Sequence, residues 1–200
     1  MCKMREIAFI MGKSASGKDK IYKQLIADEE LALTTVTMYT TRPMREGEKK
    51  GVEYNFITDE KAVKIERSKK IIEMRSYDTV YGVWKYFTAD DGQIDLSSGK
   101  RYIVIGTLEA YEKFCEYYGR EHMLPIYIEV DDGIRLQRAL TREMKQAEPK
   151  YTEMCRRFLA DDKDFSEQNI ARAGIIKRYN NDGELEDCIA KIRQVICEKM

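Results

Sequence analysis

The sequence predicts an α/β fold, a single 200-residue domain around a parallel sheet with a smaller mixed lobe inserted into it. Three observations lead there. Short apolar runs rich in β-branched and aromatic residues alternate with amphipathic stretches, as strands alternate with crossover helices. The first run passes straight into a glycine loop, Gly12-Lys13-Ser14-Ala15-Ser16-Gly17-Lys18-Asp19, that opens a helix. Between Arg42 and Gly99 the pattern changes to smaller pieces.

Taken in order, the expected sheet strands are EIAFIM at 6–11, TTVTMY at 34–39, RYIVIG at 101–106, LPIYIEV at 124–130 and GIIKRY at 174–179. Helices are expected at 18–28, 108–118, 132–147, 151–165 and 184–198. Thr107 and Asp131 are placed as N-caps, because their side-chain oxygens accept from first-turn amides. EYNFIT, KIIEMR and YGVWKYF read as short strands of the inserted lobe, and the Arg-rich helical region 132–157 as a flap. The run at 6–11 leads directly into the glycine loop, which makes it a first strand rather than a secretion signal, and no stretch is apolar for long enough to span a membrane.

Composition narrows the function classes. Lys+Arg and Asp+Glu balance at 35 each, which argues against bulk affinity for nucleic acid or acidic membranes, so anion binding must come from local clusters. The five cysteines include no C-x-x-C pair, and their number is odd, so neither a zinc site nor a disulfide framework is indicated. A reduced, cytoplasmic setting is expected. With His122 as the only histidine, a multi-histidine metal site is excluded.

The loop carries the chemistry. Gly12, Gly17 and Lys18 hold the fixed places of G-x-x-x-x-G-K-[ST], while Asp19 stands where a hydroxyl residue belongs. Between a strand and a helix, such glycines let backbone N–H groups cradle phosphate oxygens, and the helix N-terminus and lysine add positive potential. Asp19 is also an ordinary first-turn acid, favoured by the helix dipole, so by itself it does not prove a metal.

The next segment, TTRPMREGEKKGVEYNF at 40–56, resembles guanylate kinase. Arg42, Arg45, Gly47, Glu48, Gly51 and Tyr54 take that family's places in order, followed by Glu73 in KIIEMR, Tyr81-Gly82, Arg138, Arg142, Arg157 and Asn181. The resemblance covers nearly the whole chain. It implies a P-loop NTPase core with a five-stranded parallel sheet (1–39, 99–131 and 158–200), an inserted mixed nucleoside-monophosphate-binding lobe (40–98) and a helical lid (132–157). It also implies ATP as phosphoryl donor, Mg²⁺, and GMP or dGMP as acceptor, with small-molecule nucleotides rather than nucleic acid or membrane as partners. In that reading residues 12–19 and Asn181 bind ATP, and Arg42, Arg45, Tyr54, Glu73 and Tyr81 bind the monophosphate. Lys18, Arg138, Arg142 and Arg157 act in transfer. From the chemistry of its side chain, and in place of the family's hydroxyl, Asp19 is expected to hold the metal, since Mg²⁺ is a hard cation that accepts carboxylate oxygens. The chemistry of the side chains agrees: guanidinium forks suit a dianionic phosphate, and Arg138 and Arg142, four apart, share one helix face.

Three departures mark this chain. The family's strand motif Asp-Ile-Asp is Val104-Ile105-Gly106 here, the hydroxyl residue after the Tyr-Gly pair is Val83, and a base-contacting serine is Met38. Glu73 is what remains of the guanine-reading side chains, and a buried carboxylate suits the guanine N1 and N2 donors. A small-molecule kinase of the same fold acting on a ribosyl bisphosphate, or a non-catalytic guanylate-kinase-like binding module, would share parts of this pattern.

Overall fold

The computed structural model describes residues 4–45, 47–52, 54–79 and 82–200. Its centre is β1 (Ile7–Met11), whose five residues are all fully buried. Because successive side chains of a strand point to opposite faces, Ile7, Phe9 and Met11 join one apolar cluster and Ala8 and Ile10 the other. Parallel neighbours flank β1: β7 (Arg101–Gly106) and then β2 (Leu33–Thr35) on one side, β8 (Met123–Glu129) and then β9 (Arg178–Asn180) on the other. The expected α/β class with a five-stranded parallel sheet is borne out.

Helices cover both faces. Ile21 and Leu25 of α1 (Lys18–Ala27) pack with Ile192 and Ile196 of the C-terminal helix in one cluster, and Tyr111 and Phe114 of α3 (Leu108–Tyr118) pack on Phe9 in the other. Thr107 caps α3 by accepting from the Ala110 amide, as its placement predicts. Asp131 caps α4 (Asp132–Met144) by accepting from Gly133 and Ile134. This helix stops three residues short of the expected 147. Glu143 turns back to accept the Lys150 amide at 2.6 Å, and Pro149 stands in the connection. The helices α5 (Tyr151–Asp164) and α7 (Leu185–Lys199) lie within one residue of their expected ends.

Two expected strands are corrected. TTVTMY divides, since β2 ends at Thr35 and Tyr39–Thr40 becomes β3 of a second sheet. GIIKRY is strand only at its end: Gly174 sits at φ +70 and Ile176 is 95% exposed, so the chain reaches the sheet at Arg178. Two helices had no expectation. In α2 (Asp59–Arg67), capped by Thr58, the only fully covered residue is Ala62, too weak an apolar stripe to read. The six-residue α6 (Glu167–Arg172), capped by Ser166, is too short for periodicity.

The second sheet runs β4-β3-β6-β5, from β4 (Asn55–Phe56), β5 (Ile71–Thr79) and β6 (Gly82–Ala89). β5 and β6 form a long antiparallel hairpin rather than short pieces.

Candidate active site

Two concavities meet at the start of α1. The first, about 950 Å³, is lined by Ala15, Gly17, Asp19 and Lys20 of the loop and helix, by Ile134, Gln137, Arg138, Thr141, Arg142 and Lys145 around α4, and by Asn181, Gly183 and Leu185. The second is a cleft of about 480 Å³ between Lys18 and Asp19, β7 and the second sheet. Its walls are Met38, Tyr54, Arg75, Tyr77, Trp84, Tyr86, Ile105, Gly106, Thr107 and Arg157. Asp19 lines both.

The glycine loop is shaped by close approaches. A Cβ on Gly12 would lie 2.7 Å from the Ile128 carbonyl oxygen, so the loop can leave β1 against β8 only without a side chain. Gly17 lies at φ +87, and Ala15 also adopts a left-handed φ of 63°. Asn181, just past β9, donates from Nδ2 to the Ser16 carbonyl at 2.8 Å. Among the described residues, Ser16 Oγ and Asn181 Oδ1 are the buried side-chain polar atoms without a hydrogen-bond partner. Both sit at the loop, where a ligand's polar groups suit them.

The first half of the loop is welded to the flap helices by charge. Ser14 donates its amide to Asp161 Oδ2 at 2.7 Å, and Lys13 Nζ binds Asp162 Oδ1 at 2.8 Å and Asp132 Oδ1 at 3.2 Å. Arg135, with 0% exposure, donates to Asp132 Oδ1 from Nε and Nη2, to Asp162 Oδ1 from Nη2 and to the Ser14 carbonyl from Nη1, and stacks on Phe158. A buried guanidinium needs such partners, since an unpaired one would cost several kcal/mol. Lys13, expected to bind phosphate, is thus engaged at the root of the flap. Arg135, Asp161 and Asp162 were not expected from the sequence: an arginine and two acids on amphipathic helices read as solvated until the tertiary fold buries them.

The expected transfer arginines divide between the two concavities. Arg138 and Arg142 line the larger cavity, and Arg138 Nη2 reaches the Asp182 carbonyl at 3.4 Å. Arg157 lines the cleft beside Lys18, its Nε 3.8 Å from Glu153 Oε1.

Of the expected acceptor residues, Tyr54 lines the cleft, its hydroxyl pKa raised by burial. Arg42 is buried beneath it, sandwiched with Tyr54 and Phe56 at 5.4 and 5.3 Å and held in a two-pronged pair with Glu48 at 2.6 and 2.7 Å. Glu48 also accepts the Arg45 amide at 2.7 Å, while the Arg45 side chain is exposed. Hydrogen bonds from Arg42 first, then the Arg45 amide, pull the Glu48 pKa down to about 2. Glu73 is not on the cleft wall. It is buried, accepting from Thr88 Oγ1 at 3.0 Å and Arg75 Nε at 3.2 Å, and Arg75 stands between it and the cleft. Tyr81 lies outside the described residues.

The departures from the family pattern have structural counterparts. Val104 is buried in the core, and a Cβ on Gly106 would sit 2.7 Å from Phe9 Cζ, so this strand leaves no room for an acid at either place. Asp19 is then the carboxylate at the junction, 3.8 Å from Lys18 Nζ and with its side chain 78% exposed. No group of three potential metal ligands occurs among the described residues. A single carboxylate fits Mg²⁺, which commonly takes one or two from protein and fills its shell with phosphate oxygens and water.

The family described as guanylate kinase matches residues 4–86. A guanylate kinase of Mycoplasma mobile is 25% identical over 195 residues, covering 96% of this chain and 92% of that protein. One from Schizosaccharomyces pombe is 34% identical over 74 residues, 36% of this chain and 37% of that protein. The crystal structure of guanylate kinase from Anaplasma phagocytophilum aligns with a TM-score of 0.61 at 20% identity, covering 100% of this chain and 89% of that one, a likeness of fold.

Proposed function

We propose that this chain is an enzyme of the guanylate kinase family, which its matches to that family support, and that it transfers the γ-phosphoryl group of ATP to GMP, or to dGMP, giving ADP and the nucleoside diphosphate. The observation that carries the reading is the junction. Lys18 and Asp19 open a helix between a cavity lined by Arg138 and Arg142 and a second cleft lined by aromatic residues, Arg75 and Arg157. Two nucleotides whose phosphates must meet need such a pair of sites sharing one cationic, helix-capped floor.

In this reading ATP occupies the larger cavity, its phosphates on the amides of the loop from Gly12 to Asp19, with Asn181 holding the loop in shape. The monophosphate occupies the cleft. An acceptor phosphate oxygen attacks the γ-phosphorus in line, the bond to the ADP oxygen breaks, and no covalent bond to the protein forms. Lys18, Arg138, Arg142 and Arg157 meet the charge that spreads over the transferring group, and the pre-set geometry replaces solvent reorganisation. Asp19 would hold Mg²⁺ together with nucleotide oxygens; when bound, the ion neutralises phosphate charge. Arg45 and Tyr54 take the acceptor phosphate. Arg42 positions Tyr54 from beneath.

Arg138, Arg142 and Arg157 together with Lys18 around the two sites argue against a binding-only module. No helix among the described residues is long and apolar enough to cross a membrane. Free Cys115, Cys155, Cys188 and Cys197 support a reducing, cytoplasmic setting for the reaction.

Incubating the protein with γ-labelled ATP and GMP, dGMP, AMP, UMP, CMP or sugar phosphates tests the proposal. Stoichiometric labelled GDP and ADP are expected. A labelled sugar phosphate, with none of the monophosphates consumed, would overturn it.

A further inference from the structure

In the β5–β6 hairpin, Glu73 faces Thr88, Arg75 faces Tyr86 and Tyr77 faces Trp84. Residues two apart on a strand share a face, so these three rungs form one ladder running into the acceptor cleft. The inner rung is closed: Glu73 and Thr88 are buried and bonded to each other, and the second Glu73 oxygen is taken by Arg75 Nε at 3.2 Å. The middle rung reaches the cleft. Arg75 is 17% exposed, anchored through Nε, and beyond that its Nη2 meets the thioether of Met38 at 3.8 Å, a weak acceptor. Aromatic side chains of Tyr54, Tyr77, Trp84 and Tyr86 wall the same cleft.

A guanidinium fixed at Nε presents its two Nη groups as a flat pair of donors, and the partner that fits is a planar ligand with two neighbouring acceptors. Guanine has such a pair at O6 and N7. Adenine places an amino donor beside N7, which would face the donors of Arg75. Resting on the kinase reading above, we infer that Arg75 is the residue that selects guanine in the acceptor cleft, by donating to O6 and N7, while Glu73 serves as its anchor rather than reading the base.

The assignment differs from carboxylate reading in which atoms of the base matter. Steady-state kinetics with GMP, IMP, AMP and 7-deaza-GMP on the unaltered protein separates them. IMP keeps O6 and N7 and lacks the 2-amino group, so its kcat/KM should stay within about tenfold of GMP. In 7-deaza-GMP the N7 acceptor is lost, and kcat/KM should fall on the order of tenfold to a hundredfold, the worth of one hydrogen bond to a charged donor. Arg75→Met combined with Glu73→Gln, which avoids a stranded buried carboxylate, should fold and bind ATP, equalise 7-deaza-GMP with GMP, and bring the GMP to AMP ratio towards unity. Arg75→Lys should recover part of that ratio. Equal turnover of 7-deaza-GMP and GMP by the unaltered protein, or a large penalty for IMP with none for 7-deaza-GMP, would overturn the role of Arg75 and leave the kinase reading standing. Turnover of no monophosphate at all would overturn both.

Discussion

Asn181 Nδ2 donates to the Ser16 carbonyl at 2.8 Å, and a Cβ on Gly17 would lie 2.5 Å from that same nitrogen. The residue that follows the last strand of the sheet therefore holds the glycine loop in a form that a glycine at 17 alone permits. Gly17→Ala would combine a left-handed φ, worth roughly 1–2 kcal/mol against a side chain, with displacement of Asn181. A lower Tm and loss of ATP binding are expected by differential scanning fluorimetry and calorimetry. Asn181→Ala should cost about 1–3 kcal/mol of stability by stranding the buried Ser16 carbonyl. An unchanged Tm in both variants would contradict this coupling.

At the proposed acceptor end, Arg45→Ala and Tyr54→Phe should raise KM for GMP by on the order of tenfold to a hundredfold while KM for ATP moves little, since in the proposed reading each would remove a charge-assisted contact. Equal effects on both substrates would place this loop elsewhere in the mechanism.

The flap arginines lie on different sides of the junction, yet all are assigned to the charge that develops in transfer. Alanine at Arg138, Arg142 or Arg157 should each lower kcat, by up to on the order of a thousandfold, with a smaller change in nucleotide Kd. A variant whose Kd for ATP rises while kcat holds would be a binding residue only.

With ATP placed as proposed, Asp19 would face triphosphate charge, a repulsion relieved only when a cation lies between them. ATP affinity should therefore depend on Mg²⁺ more steeply in the unaltered protein than in Asp19→Ala, as read by titration with and without the metal. Asp19→Ala should be nearly inactive and Asp19→Ser partly active. The same Mg²⁺ dependence in both proteins would remove the metal role from Asp19.

Acid stability follows from Glu48. Its carboxyl lies at about 2 in the folded protein against an ordinary 4.5, so its contribution is full above about pH 4.5 and is lost as pH falls from there toward 2. In Glu48→Gln the Tm should be lower at neutral pH and fall less steeply between those two values. Parallel acid limbs for the two proteins would show that the Arg42 pair contributes nothing that titrates.

Local signals carried much of this protein. The buried strand IAFIM, the spacing from Gly12 to Lys18 and the caps Thr107 and Asp131 are short-range features, each decided by backbone geometry or side-chain period within a few residues. They were enough to place the parallel sheet and the glycine loop that leads into α1. Which charged residues are buried was not legible, because burial depends on what packs from elsewhere in the chain. Arg135 is covered only once α5 brings Asp161, Asp162 and Phe158 against α4, and Lys13 is drawn to the same cluster. The same holds in the cleft. The sequence alone determined that Glu73 and Arg75 share a strand face; the pairing of β5 with β6 decided that Thr88 and Arg75 take both carboxylate oxygens and that Arg75 lines the cleft. A carboxylate turned inward is stable only where donors from two strands meet it, and that meeting exists only in the folded sheet.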